Sequence, residues 1–373
     1  MAQSRMGRWG SELYTGRVSY PIVARRRRWY AVSAVVVLVA VLLLLTRGLT
    51  GSIDFRGGSE FVVSGVTTTA QQPAIDAIQA IAPTEQPRVS ELGQGGVRSL
   101  RVQTAELTSA QTQEAADALA AAYDGANVSS QFIGPTWGAD VTGKALRGLI
   151  TFLVLVSVVM TLYFRNWRMA AGALVALGHD LVITVGLYAG TGWEVSPATV
   201  IGFLTILGYS LYDTVVVFDK VRENTHRVLE QKRYTYAELA NLAVNQTLVR
   251  SINTSVVALL PVSAILFIGA FLLGAGTLRD ISLALFIGVL VGTFSSVFIA
   301  TPVEVSLRER EPAIREHTAA VLAARAARPA DEVADGDEAG TRVRVGATVP
   351  GRHMGVTSQP RRRKGSRGPG RPA

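Results

Sequence analysis

The feature that most restricts the fold of this chain is a set of six long apolar segments. A helix that crosses a bilayer needs about 20 mostly apolar residues to span about 30 Å of hydrocarbon. The segments that satisfy this requirement are 29–46, 146–164, 169–193, 195–218, 253–278 and 281–303. The first follows a basic stretch, as in a signal peptide, but its apolar run is longer and no Ala-x-Ala-like site follows. We therefore predict an uncleaved first helix and an all-α membrane bundle of six transmembrane helices.

Basic residues between the segments predict the orientation. They occur before the first segment, between the second and third, between the fourth and fifth, and after the sixth, as Arg25–Arg28, Arg165, Arg168, Lys220, Arg222, Arg227, Lys232, Arg233, Arg308, Arg310 and Arg315. Six crossings place all of these on one side, which the positive-inside rule identifies as the cytoplasm. We expect a cytoplasmic N-terminus (1–28), a cytoplasmic loop (219–252) and a cytoplasmic tail (304–373).

The long loop at 47–145 is predicted to form an extracytoplasmic α+β domain. Its pattern predicts strands at 60–64, 87–92, 97–104 and 127–133 and helices at 68–82 and 108–123, with a hairpin turn at Gly93–Gly96. The second helix begins like a capped helix, with Thr108 followed by Gln111. The order βαββαβ suggests a ferredoxin-like fold. The loop has no His, the chain has no Cys, and the carboxylates of the loop are scattered. We expect a binding or mechanical domain and not a catalytic one.

Composition excludes several functional classes. Without cysteine, the chain cannot form disulfides, cysteine zinc sites or thiol nucleophiles. No nucleotide-binding or hydrolase motif is present, so energy for transport would come from an ion gradient or a partner. The net charge of +9 suggests an anionic partner. The tail is expected to begin with a short amphipathic helix at 304–328 and to be disordered from Pro329 onward. Its basic cluster Arg361–Lys364 either contacts anionic lipid or ribosomal RNA, or the tail only aids solubility.

A single carboxylate within the fourth span is the main candidate for an ion site. Asp213 shares a predicted helical face with Thr205 and Tyr209, and Tyr212 lies alongside. Ionisable side chains in hydrocarbon cost a few kcal/mol and commonly mark ion pathways. The alternative is an interfacial carboxylate that reaches water.

Two further groups are weighed beside it. Arg250 starts the fifth segment, with Asn253 and Thr254 on its face, at a depth that permits pairing with Asp213. An arginine next to a carboxylate favours the charged form, so a movement that separates the two would favour protonation; the alternative is a cation that only orients the helix. His179 and Asp180 lie mid-span in the third segment, where a relay role and a structural hydrogen bond remain equally open.

Four motifs resemble the SecF branch of the SecD/SecF family of the bacterial Sec export machinery. They follow one another on the expected segments, as Asp54-Phe55-Arg56-Gly57-Gly58-Ser59, Gly208–Asp213 with Val221–Asn224, Gln246–Arg250 with Asn253–Ser255, and Gly288–Ser296. The resemblance covers about residues 20–305. Tyr212 stands where the family usually has asparagine, Ser251 replaces a usual threonine, and Arg56 stands where a small polar residue is common.

The resemblance implies a fold, a partner and a function. It implies six helices of the resistance-nodulation-division type, which pair with the six of SecD in a heterodimer. It implies use of the proton gradient to promote late export of SecA-driven preproteins through SecYEG, with a YajC-like protein as a further partner. The family's proton-path aspartate and arginine match Asp213 and Arg250. Neither a cofactor nor a metal is expected, and the chain is not expected to be an enzyme.

Two other functions compete with this interpretation. The first is half of a superfamily transporter that exports lipids or small molecules, which would normally have twelve helices in one chain and a larger external domain. The second is a passive membrane scaffold, for which Asp213 would be dispensable.

Overall fold

The computed structural model describes residues 5–92, 98–272 and 276–327. Within these ranges, six helices are long and apolar enough to cross a membrane, at Arg26–Arg47, Thr136–Phe164, Trp167–Thr191, Pro197–Glu230, Tyr236–Gly269 and Leu278–Arg308. The six-helix prediction is therefore confirmed. The first, second and fifth of these helices have mostly exposed spans, whereas about half of the third, fourth and sixth is buried. These last three helices form the centre of the bundle.

The α-helices are numbered in chain order. They are α1 Arg5–Tyr14, α2 Arg26–Arg47, α3 Ile53–Arg56, α4 Gln72–Ile81, α5 Ser109–Ala122, α6 Pro135–Phe164, α7 Trp167–Thr191, α8 Pro197–Thr225, α9 Tyr236–Ala264, α10 Gly276–Ser295, α11 Thr301–Arg308 and α12 Pro312–Ala326. Pro261 lies inside α9, and a π-helical segment at Ile265–Leu272 follows that helix directly. A second π-helical segment, Ser296–Ala300, joins α10 to α11. Both irregular segments thus extend membrane helices.

The strands form two sheets. They are β1 Thr50–Gly51, β2 Gly58–Ser64, β3 Arg88–Leu92, β4 Ser99–Thr104, β5 Asn127–Ile133 and β6 Glu194–Val195. The larger sheet has the order β3-β4-β2-β5 with all neighbours antiparallel. Helices α4 and α5 pack on it through a core that includes Phe61, Ile78, Leu100 and Leu119, all fully buried. This α+β unit has the predicted order of strands and helices.

Helix caps explain two boundaries. Thr108 and Gln111 form the reciprocal capping box that the sequence suggested at the start of α5. A second capping box, Thr235 with Glu238, starts α9 at Tyr236, inside the segment predicted as the cytoplasmic loop 219–252. The helix therefore begins well before the apolar run at 253. Helix α6 likewise begins at Pro135, ahead of the predicted span 146–164.

Two predictions fall outside the residues that the structure describes. One is the hairpin turn at Gly93–Gly96. The other is most of the tail, 328–373, with its basic cluster Arg361–Lys364. The described part of the tail continues as α11 and α12.

Small residues set the closest helix contacts. A Cβ at Gly186 would lie 2.6 Å from the Cα of Ala40, where α7 meets α2. A Cβ at Gly288 would lie 2.1 Å from the Ile206 side chain, where α10 meets α8. The glycine pairs at 186/190 and 288/292 thus allow close packing, as their spacing suggests.

The basic segments meet at one end of the bundle. Arg26 pairs with Glu309 at 2.7 Å, Arg168 pairs with Glu311 at 2.7 Å, and Arg325 donates to Glu238. These contacts join the first turns of α2, α7 and α9 to the segment after α11. The α+β unit lies at the other end, where Arg47 donates to the Gly190 carbonyl.

Candidate functional site

The buried face of α8 carries the central carboxylate. The positions Ile206, Ser210, Asp213 and Val217 are all buried and recur at intervals of three and four residues. That spacing places one stripe of a helix against its neighbours. Asp213, only 4% exposed, therefore lies inside the bundle among α8, α9 and α10.

Asp213 has one hydrogen-bond donor and one unpaired oxygen. Its Oδ1 accepts a hydrogen bond from the Ser251 hydroxyl of α9 at 2.8 Å. Its Oδ2 is buried and has no hydrogen-bond partner among the described residues. A buried carboxylate oxygen without a donor is costly when charged. A protonated carboxyl would instead present its own donor at this position.

Asp180 of α7 links three helices, and its partner Ser210 lies one helical turn before Asp213 on α8. Its Oδ2 accepts hydrogen bonds from Ser210 of α8 at 2.6 Å and from Ser295 of α10 at 2.8 Å. The side chain is fully buried. Gly292 permits this contact, because a Cβ there would lie 3.0 Å from the Ser210 Cβ and 3.5 Å from Asp180 Oδ2. Asp180 thus faces the helix that carries Asp213.

Hydroxyl groups extend the polar region between the two carboxylates. Thr214 and Ser296 share a hydrogen bond at 3.0 Å, and Ser296 also donates to the Ser210 carbonyl at 3.3 Å. On the α9 side, Ser255 and Thr293 hydroxyls lie 2.6 Å apart. Hydroxyls both donate and accept, so such a group can support a proton-relay path.

His179 contacts Asp180 directly. Its Nδ1 lies 3.1 Å from Asp180 Oδ1, and its ring stacks on Phe294 with centroids 6.2 Å apart. Its Nε2 is buried without a partner in the described part of the chain. Asp180 therefore bonds to both α8 and α10, whereas the His179 ring packs on α10.

Arg250 does not form an ion pair with Asp213. It is exposed, and its Nη2 lies 3.5 Å from the hydroxyl of Tyr212, which is 53% exposed. Within the described residues, no ion pair to Arg250 is formed. Ser251, its sequence neighbour, turns inward instead. The anticipated Asp213–Arg250 contact is therefore absent from this conformation.

The supporting residues named from the sequence divide between two faces. Thr205 is exposed and bonds only its own helix at the Ile201 carbonyl, and Asn253 is also exposed. Thr254 bonds the Arg250 carbonyl. Tyr209 has a buried hydroxyl near Ser255 without a hydrogen-bond partner in the described chain. The predicted face of Thr205, Tyr209 and Asp213 is thus corrected in part: Asp213 is buried, whereas Thr205 and the neighbouring Tyr212 are exposed, because the buried stripe of α8 runs through Ser210.

The first motif forms a joint between the α+β unit and the membrane helices. Ser52 donates to Asp54 at 3.0 Å at the start of α3. Gly57, with φ 79°, ends α3, and a Cβ at Gly58 would lie 2.4 Å from the Thr104 carbonyl oxygen. A Cβ at Gly138 of α6 would likewise lie 2.4 Å from the Phe55 carbonyl oxygen. The motif therefore has a structural position, distant in sequence from Asp180 and Asp213; its residues are Asp54, Phe55, Gly57 and Gly58.

Sequence reasoning missed most of the hydroxyls in this site. Ser210, Ser295 and Ser296 lie in apolar runs, where an uncharged side chain hardly changes hydropathy. A usable signal was their spacing, because Ser210 lies three residues before Asp213 and Thr214 lies one residue after it. In the described ranges, no group of three or more His, Asp or Glu side chains is placed to hold a metal ion. The geometry suits proton movement between carboxylates and hydroxyls.

Comparisons with known proteins agree on one family. The model of "Protein export membrane protein SecD/SecF, C-terminal" matches residues 114–310. The protein translocase subunit SecF of Streptomyces coelicolor is 46% identical over 330 residues, which cover 87% of this chain and 86% of that protein. The SecF subunit of Mycobacterium tuberculosis is 44% identical over 322 residues, covering 84% of this chain and 72% of that protein.

A solved structure is similar as well. The crystal structure of SecDF, a translocon-associated membrane protein from Thermus thermophilus, matches with a TM-score of 0.68 and 27% identity. The match covers 79% of this chain but 39% of that one. This chain therefore corresponds to less than half of the SecDF polypeptide.

Proposed function

This chain belongs to the SecF family of protein translocase subunits, and from this we propose that it promotes preprotein export across the cytoplasmic membrane with the proton gradient as its energy source. It is a multi-pass membrane protein and a non-enzymatic subunit of the Sec translocase. The relatives do not favour the alternative of a lipid or small-molecule exporter.

The observation that carries the proton proposal is the environment of Asp213. This carboxyl is almost fully buried within a membrane-spanning helix, and only Ser251 donates to it among the described residues. Ionisable residues in such positions mark ion pathways. We assign proton loading to Asp213, with Asp180 and His179 as the adjoining polar region on α7.

The exposed face of α8 and α9 supports a SecD-like partner. Arg250, Asn253 and Tyr212 are exposed on helices that span the membrane, next to the apolar Val257 and Leu260, which are 68% and 65% exposed. An arginine facing lipid tails costs at least about 2.5 kcal/mol by insertion scales, so a protein neighbour is favoured. The SecDF chain extends beyond the 39% that this chain matches, which supports the proposal that six SecD helices cover this face.

The remaining assignments complete the proposal. The end with Arg26, Arg168 and Arg325 faces the cytoplasm, so both termini are cytoplasmic. The α+β unit is then proposed as a ferredoxin-like domain on the outer side, and its strand order and antiparallel pairing support this assignment. The bundle is half of a resistance-nodulation-division-type assembly. SecYEG, SecA-driven preproteins, a YajC-like protein and anionic lipid are its proposed partners.

The proposal is tested by Asp213→Asn in cells. The amide keeps the shape of the side chain but cannot carry a proton on and off. We expect slower processing of pulse-labelled preproteins and no further slowing by an uncoupler, while the six-helix partner still copurifies. The matched control is Asp219→Asn, an exposed carboxylate on the same helix, which should export normally.

Normal, uncoupler-sensitive export by Asp213→Asn would overturn the proton role and favour a passive scaffold. Failure of a SecD-like protein to copurify with the unmodified chain would overturn the partner assignment separately.

A further inference from the structure

A groove lined by apolar side chains lies between the start of α2 and the faces of α9 and α10. Its volume is about 650 Å³, within the usual range of small-molecule sites. The apolar lining includes Trp29, Ile252, Val256, Leu290, Phe294 and Phe298. Val256 and Leu290 are 50% and 49% exposed, so the described chain leaves the side of the groove uncovered. The groove lies within membrane-spanning helices and opens sideways.

One arginine lines the groove, and a second lies one helical turn further along the same face. Arg25 lines it, and Arg28 lies on the same face of the first turn of α2, one residue before Trp29. Both are exposed, and neither side chain makes an ion pair or hydrogen bond to the part of the chain that is described. Arg26, by contrast, is paired with Glu309. The helix N-terminus adds a partial positive charge at the same place.

Aromatic residues mark this end as a membrane interface. Trp29 packs on Phe298 with ring centroids 4.3 Å apart, and Trp9 and Tyr20, which also line the groove, contact each other at 6.5 Å. Tryptophan and tyrosine are enriched at the headgroup level of bilayers. An apolar groove that begins at this level, next to unpaired cations, is complementary to the acyl chain and the negative headgroup of an anionic phospholipid.

We propose that this groove binds an anionic phospholipid, with one acyl chain along Trp29, Val256 and Phe294 and its phosphate at Arg25 and Arg28. The site requires only that the chain lies in a membrane, so it is independent of the proposed proton role. Negative headgroups are favoured because juxtamembrane arginines attract them.

The groove also adjoins the candidate proton site. Ser251 and Ser255 form part of its wall, and the Ser251 hydroxyl donates to Asp213 on its other side. An acyl chain in the groove would keep water from these hydroxyls. Lipid binding would in this way keep one side of the Asp213 pocket dry.

Tryptophan quenching tests the occupant. The full chain, with Trp29 as its one tryptophan, is reconstituted with its copurifying partner into vesicles containing a small mole fraction of brominated phosphatidylglycerol or brominated phosphatidylcholine. The signal of a matched tryptophan-free chain is subtracted. We expect quenching by the anionic lipid to be at least about threefold stronger. A chain with only Trp167, which is exposed at the same end beside Arg168, measures the general attraction of anionic lipid to this end, and its preference for the anionic lipid should be smaller than that of Trp29.

Equal quenching of Trp29 by both lipids would overturn the proposal in favour of ordinary lipid contact. An absence of quenching would overturn it in favour of a protein segment in the groove. Because multiple tryptophan substitutions can disturb folding, a second measurement uses the otherwise unmodified chain. The ratio of copurified phosphatidylglycerol to protein should fall in Arg25→Gln/Arg28→Gln and stay constant in Arg310→Gln/Arg315→Gln, two exposed arginines in the segment after α11; no fall would contradict the site.

Discussion

Ser251 of α9 donates its hydroxyl hydrogen to Asp213 of α8 at 2.8 Å, while the residue before it, Arg250, points to the exposed side of the same helix pair. Two adjacent residues of α9 thus contact two different faces of α8: Ser251 contacts the buried face and Arg250 the exposed face. The inner face offers a neutral hydroxyl to the carboxylate, and the outer face presents a cation. A rotation of α9 would change which of these two groups stands nearest to Asp213.

Removing the Ser251 hydroxyl should impair export. Ser251→Ala leaves Asp213 without its donor, and a lost hydrogen bond to a charged group is worth about 1.5–3 kcal/mol. Ser251→Thr keeps a hydroxyl at this position and should restore most of the export rate. Pulse-labelled preprotein processing measures both. Ser157→Ala is the control, because that hydroxyl bonds only its own helix at Leu153; an equal effect of both alanine variants would remove the special role of Ser251.

Asp180 should contribute strongly to the stability of the bundle. In Asp180→Ala, the buried Ser210 hydroxyl loses its acceptor, while Ser295 keeps only the Gly292 carbonyl at 3.1 Å. An unsatisfied buried group costs about 1–3 kcal/mol. Asp180→Asn retains an acceptor oxygen and should lose less. Thermal unfolding of the detergent-solubilised protein should therefore rank wild type above Asn above Ala. Indistinguishable midpoints for the wild type and Asp180→Ala would show that the two hydroxyls find other acceptors.

The contact between α2 and α7 should not tolerate a methyl group at Gly186. The new Cβ would lie 2.4 Å from the Ala40 Cβ, and overpacking of this kind costs about 1–3 kcal/mol. Gly178→Ala is a matched control on the same helix, since nothing lies within 4 Å of a Cβ there. We expect a lower unfolding temperature for Gly186→Ala only. The same loss in both variants would point to a general effect of alanine in α7.

Contacts of Glu194 should hold the α+β unit in place without adding much stability. Glu194 lies 3.6 Å from Arg88 and accepts a hydrogen bond from Gln103 at 3.3 Å. Arg88 is about half exposed, and exposed ion pairs are worth about 0–1 kcal/mol. Glu194→Ala should therefore barely change the unfolding temperature.

Glu194→Ala should, however, broaden the distribution of distances between one spin label on the α+β unit and another on the membrane helices. The chain has no cysteine, so Glu114→Cys and Thr191→Cys label two exposed positions uniquely. Arg98→Ala, an exposed arginine of the same unit, serves as the control. An unchanged distance distribution in Glu194→Ala would show that the backbone connections alone hold the unit.

Most of the fold was readable from local signals. A charge-free run of about 20 residues has few alternatives to a membrane helix, and alternation with turn residues identified the strands of the α+β unit. Thr108 and Gln111 form the predicted capping box because both partners lie within one helical turn.

The site was less accessible from sequence. Asp213 stood out because it is charged, but the side of α8 on which it lies depends on where α7 and α10 pack. Helical spacing alone groups Asp213 with Thr205 and Tyr209, whereas the packed helices bury it on a stripe with Ser210. The pairing of Thr50 with Glu194 joins two-residue strands that are distant in sequence, and such short strands have no periodic pattern to detect.

That pairing has a mechanical consequence. Strand β6 forms part of the short link between α7 and α8, and it pairs in parallel with β1, at the base of the α+β unit. This link therefore connects the α+β unit to the point where the two helices that carry Asp180 and Asp213 are joined. Force applied to the α+β unit would act on α7 and α8 where they are joined. A change in the distance between these two helices would act on the α+β unit through the same two residue pairs.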